Sequence, residues 1–165
     1  GEEGCTAPQA LLPRGNAALR ARVRYWNVFS NEKIIPFFYK MLMSQDQHER
    51  DRATDSIIAN LAEFAAAMAD EASLGPYFLG DVYSSADIVL FPWYERLLTV
   101  SATYRGFAPP DTPAFARLHT WHRAVRARPA VARTLADPDR LIRSYSGYAD
   151  ASATSDVAVR LGGKK

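Results

Sequence analysis

The sequence predicts an all-α fold, and three observations carry the prediction. Apolar residues recur at spacings of three and four from Asn16 onward, no run of alternating β-branched residues appears, and Tyr83-Ser84-Ser85-Ala86-Asp87-Ile88 bears the signature of a helix start. With 165 residues, 48% of them apolar and 23% charged, the chain suits a single packed domain with its own core.

Residues 1–15, GEEGCTAPQALLPRG, mix Gly and Pro without a period and read as a linker that follows another domain. Asn16 is placed to cap a first helix whose inner face is Leu19, Val23, Trp26 and Phe29 or Ser30. Pro36 should kink or split this helix ahead of Phe37, Phe38 and Tyr39. A second helix is expected over residues 47–73, with Ile57, Leu61, Phe64 and Met68 on one stripe, until Gly75-Pro76 stops it. Residues 77–81 make a short aromatic turn. Ser84 at the N-cap and Asp87 at the third helical position then form a capping box, with Asp replacing the usual Glu, and Tyr83 can staple against Ile88. The body of that helix, residues 88–94, is apolar on all sides, which predicts a central helix enclosed by others. Thr112-Pro113 opens a further helix with Phe115, Leu118, Trp121 and Val125 inward. Pro129 begins a short helix to Leu135, and Asp137-Pro138 begins a last one through Tyr145. The domain therefore spans residues 16–148, and the Ser-, Ala- and Gly-rich stretch 149–165 reads as a disordered tail.

Composition argues against several functions. The net charge of +2 arises from 20 basic and 18 acidic residues without a basic run, so no nucleic-acid-binding surface is indicated. No apolar stretch approaches the roughly 18 residues of a membrane span, and no targeting segment stands at the start, so a cytoplasmic location and no membrane partner are expected. Cys5 is alone, which leaves no intrachain disulfide and no thiolate cluster for a metal. His119 and His122 stand one helical turn apart, yet no third ligand lies at a useful spacing, so both are expected to be solvated and no metal site is assigned. Glu95 and Arg96 end an otherwise apolar helix, where a charge needs either a partner or the rim of a wet cleft.

Two stretches, PYFLGDVYSSADIVLFPWYERL and TPAFARLHTWHRAVRARPAVARTL, resemble the C-terminal helical domain of the glutathione transferases, and the resemblance covers about residues 11–145. Pro92-Trp93-Tyr94-Glu95-Arg96-Leu97 is similar to the omega class and to related thiol-dependent reductases. The resemblance implies a helical bundle that lacks the family's thioredoxin-like N-terminal domain. In that family the missing domain binds glutathione, the cosubstrate, and carries the catalytic residue; Cys5, followed by Thr6 and not by Pro, is a poor nucleophile, so no catalytic residue is assigned to this chain.

What remains to this half is the acceptor side. The resemblance places Arg96 and Trp121 on the wall of the site for a hydrophobic or thiol/disulfide small molecule, with Tyr25 and Trp26 facing them across a groove. A structural ion pair of Glu95 or Asp87 with an arginine, and core packing of the aromatics, are the competing readings. The expected function is thus the acceptor-side half of an omega-like glutathione transferase or glutathione-dependent thiol-disulfide reductase. Its partner would be a thioredoxin-like domain, and the family also allows a homodimer. The alternative is a non-catalytic interaction module, as in translation elongation factor or synthetase complexes.

Overall fold

Asn16 caps the first helix as its sequence position implies: its side chain accepts the Leu19 N–H at 2.9 Å, and α1 runs Ala17–Phe29. The computed structural model describes residues 10–68 and 75–162, so Cys5 and most of the expected linker lie outside the described residues. The split expected at Pro36 is present, and its form is specific. Pro36 has no N–H, and its ring would collide with the carbonyl of residue 32 in a regular helix. The chain widens beforehand into a π-type turn, Ser30–Ile34, in which the Ile35 N–H reaches back five residues to Ser30. α2, Ile35–Met43, then carries Pro36 in its first turn, where the missing donor costs little.

α3, described as Gln47–Met68, buries Ile57, Leu61, Phe64 and Met68 along the predicted stripe. Full burial of each such side chain contributes about 1.5–3 kcal/mol. Gly75 sits where the turn folds closest on itself: a Cβ there would lie 2.2 Å from the Asp81 nitrogen. Across this turn Tyr77 and Gly80 exchange backbone hydrogen bonds of 2.8 and 3.0 Å. Such isolated bridges are the only extended pairing among the described residues, and the all-α class holds.

α4, Ser85–Arg96, packs against α1 and α6, and a second π-type turn, Leu97–Ser101, joins it to α5, Ala102–Arg105. α6, Pro113–Ala127, turns Phe115, Leu118, Trp121 and Val125 inward as expected, although Thr112 caps it by position only, without a side-chain hydrogen bond. α7, Pro129–Ala132, is shorter than predicted, and α8, Pro138–Ser144, starts on the Asp137 side chain, which accepts the Arg140 N–H at 2.8 Å. α9, Ser146–Ala149, completes the expected domain.

Two expectations need correction. The stretch after Ala149 contains a helix, α10, Asp156–Gly162, packed on α2; small Ala158 is buried there, and the Ser155 hydroxyl accepts its N–H at 3.2 Å. A Ser- and Ala-rich composition can thus dock where one small side chain meets an existing face. α4, for its part, is not enclosed on all sides. Ile88 is 39% exposed and Pro92 is exposed as well, because α7 and α8 flank the helix without covering this stripe.

Candidate functional site

The start of α4 is fixed by a buried carboxylate. Asp87 Oδ2 accepts the Ser84 N–H at 2.7 Å and the Ser84 hydroxyl at 3.0 Å, the returning arm of the predicted capping box. Its Oδ1 accepts the Phe78 N–H at 2.8 Å and the Trp121 indole N–H at 2.9 Å. Burial pushes the Asp87 carboxyl up from its ordinary value, while these hydrogen bonds, which favour the charged form, pull the other way. One carboxylate thereby ties the aromatic turn, α4 and α6 together.

The uncovered stripe of α4 forms one wall of a groove of about 300 Å³. Ile88, Phe91 and Pro92 supply this wall; Val131, Leu135 and Leu141, from α7, the loop after it and α8, supply the other. Pro92 suits the position, since it leaves the Ile88 carbonyl without a helical donor on a side of α4 that is open. One turn further along α4 the lining becomes charged, with Glu95, Arg96 and Arg126. Apolar walls with a few convergent polar groups are what a small-molecule site requires.

Glu95 is satisfied from α6. Its Oε1 lies 2.5 Å from His122 Nε2, and its Oε2 accepts from Arg126 Nη1 at 2.5 Å. Burial raises the Glu95 carboxyl, but the hydrogen bonds and charges of His122 and Arg126 outweigh it, and the net result is a pKa below the usual carboxylate range. The structural pair weighed for Glu95 is therefore present, with Arg126 and His122 as partners and not Arg96. His122 is correspondingly half-buried and stacked on Phe91, so the solvated state expected for it is corrected. His119 faces elsewhere, towards the Pro110 carbonyl at 3.3 Å.

Arg96 donates from Nε to the Tyr145 hydroxyl at 2.8 Å and from Nη1 to the Pro92 carbonyl at 2.7 Å, with its guanidinium 5.0 Å from the Trp93 ring centre. It lines the groove. The other three predicted wall residues do not join it there. Trp121 is 0% exposed, ringed by Phe64, Phe91 and Tyr94. Trp26 is buried against Phe29, Phe64 and Phe78. Tyr25 is 57% exposed on the outer face of α1, edge-on to Trp26. Ile88 and Pro92, expected to be enclosed, and the apolar residues after Pro129 join the groove although no role is predicted for them. Their signal was present as Ile88, Pro92 and Arg96 at successive spacings of four, an apolar stripe that ends in a charge.

Comparison with known proteins agrees with this architecture. Residues 47–124 match the family model of the glutathione S-transferase C-terminal domain. Glutathione S-transferase U19 of Arabidopsis thaliana is 26% identical over 142 residues, which cover 82% of this chain and 58% of that protein. Among solved structures, glutathione transferase Omega 3C of Trametes versicolor is 27% identical, with a TM-score of 0.69 over 84% of this chain and 55% of its own. The Tau class transferase MiGSTU of mango, Mangifera indica, shares the fold at a TM-score of 0.74 and 21% identity, over 87% of this chain and 62% of its own. Over residues 47–124 the chain is similar to the glutathione S-transferase C-terminal domain, and it shares its helical fold with glutathione transferases. It spans little more than half the length of these relatives.

Proposed function

We propose that the chain is the acceptor-side half of an omega-like glutathione transferase or glutathione-dependent thiol-disulfide reductase, and that it works beside a thioredoxin-like domain. The observation that carries the proposal is the groove along α4, with apolar walls and Arg96 at its charged end. The likeness to an omega-class transferase at 27% identity supports the class. In this reading residues 1–15 lead from the other domain, glutathione supplies the reacting thiol, and the catalytic group lies outside the 165 residues. A cytoplasmic setting and a homodimer belong to the same proposal; among the described residues no helix is long and apolar enough to cross a membrane.

The residues of this half bind and orient. Ile88, Phe91, Leu135 and Leu141 remove the apolar body of an acceptor from water, while Arg96, braced by Tyr145 and the Pro92 carbonyl, presents a positively charged edge at a fixed place. Tyr25 and Val28, both exposed on α1, form an apolar face that favours a second reading, a non-catalytic interaction module. A glutathione-dependent thiol-transfer assay separates the two. The 165-residue chain alone should be inactive, and the chain preceded by a thioredoxin-like domain should turn over. Turnover by the isolated chain, abolished by Cys5→Ser, would place the nucleophile here, and inactivity of both forms would favour the interaction module.

A further inference from the structure

We infer that the groove selects apolar acceptors bearing a single carboxylate, and that Arg96 is the group that receives it. The inference deepens the acceptor-site reading and rests on it for the reaction alone; the binding preference stands on the groove itself.

The argument is one of charge left uncompensated. Two arginines line the groove, and Arg126 is neutralised by Glu95. Glu95 is in turn occupied at both oxygens, by His122 and Arg126, and has no lone oxygen to offer Arg96. Arg96 donates to a phenol and a backbone carbonyl and lies over the Trp93 and Tyr145 rings, all of them uncharged, and no carboxylate stands within ion-pair reach of it among the described residues. Other arginines of the fold are spent differently. Arg105 is committed to the carbonyls of Met41, Leu42, Tyr104 and Ala149, and Arg128 lies 3.9 Å from the Tyr83 ring centre and donates to the Tyr77 hydroxyl. A half-buried guanidinium held at the end of an apolar trough, with aromatic and carbonyl partners but no anionic one among the described residues, matches an amphipathic anion: an aryl or short acyl body along Ile88, Pro92 and Leu135, with its carboxylate on Arg96. A cationic head group would meet Arg96 with like charge, and a neutral one would leave it unpaired.

The test uses the 165-residue chain without glutathione. Three ligands of one shape, 4-phenylbutyrate, its amide and 4-phenylbutylamine, are titrated by calorimetry and by tryptophan fluorescence, with Trp93 beside Arg96 as reporter. The carboxylate should bind about tenfold or more tighter than the amide and weaken as salt is raised. Arg96→Gln should erase this preference while amide binding stays unchanged, and Leu135→Asp should weaken both. Tyr145→Phe, which removes one brace of the guanidinium but keeps its charge, should reduce the preference without erasing it, and Arg96→Lys should retain part of it. Equal affinity for carboxylate and amide in the unaltered chain overturns the inference, as does a preference that survives Arg96→Gln. Affinity that falls as protein concentration rises assigns the groove to a second copy and also overturns it. If Arg96→Gln does not fold, the ligand series on the unaltered chain and Arg96→Lys decide. No glutathione chemistry enters this measurement, so an inactive two-domain protein leaves its result standing, and its failure leaves thiol transfer to be judged by turnover.

Discussion

Asp87 and Trp121 show how far a single residue can be read. The spacing from Ser84 identifies Asp87 as a cap, and the structure finds it buried in that role. Trp121 was harder, because helical periodicity says which face a side chain shares and not how deep that face lies. A buried indole needs an acceptor for its N–H, and here the acceptor is the same Asp87, a pairing made only by the tertiary fold. Trp121→Phe keeps much of the ring volume but leaves Asp87 Oδ1 one donor short, so urea unfolding should show a loss of about 1–3 kcal/mol. Glu95 gives a prediction with a pH sign. Its folded pKa lies below the ordinary carboxylate value, so its contribution is present above about pH 4.3 and is lost as pH falls through the folded value. Glu95→Gln should therefore cost about 1–3 kcal/mol near neutrality, and the gap from the unaltered chain should close in acid. A gap that stays constant with pH would show that the pair contributes no charge.

Helix starts were legible where a side chain or a proline marks them, as at Asn16, Asp137 and Pro36. Coverage was harder to read, because it depends on which neighbour arrives: the spacing of Ile88, Pro92 and Arg96 marks one stripe of α4 that ends in a charge, but not that this stripe lies open while Leu90 and Tyr94 are buried. The same reason hid α10, whose docking turns on the small size of Ala158. The turn before α4 makes the demand of an element explicit. A Cβ added to Gly75 would lie 2.2 Å from the backbone of Gly80 and Asp81, and backbone cannot swing aside as a flexible side chain can. Gly75→Ala should lower stability by about 2–4 kcal/mol in chemical denaturation. A loss below half of one kcal/mol would mean that the turn relaxes freely.

For the molecule as a whole, the resemblance in PWYERL and the capping box was enough to give the fold, while the site it implied was only partly present. Arg96 lines a groove, and Trp121 and Trp26 are buried in the core away from it. In the proposed function, acceptor recognition rests on Arg96 and the apolar stripe of α4, while glutathione recognition and the reacting thiol belong to a separate domain. Loss of an interaction made with one substrate alone raises the KM for that substrate and no other. Steady-state kinetics of Arg96→Gln, in a form that includes a thioredoxin-like domain, test this division most directly: the account predicts a KM for a carboxylate-bearing acceptor raised about tenfold, with the KM for glutathione unchanged, and a rise in the glutathione KM with acceptor KM unaltered would contradict it.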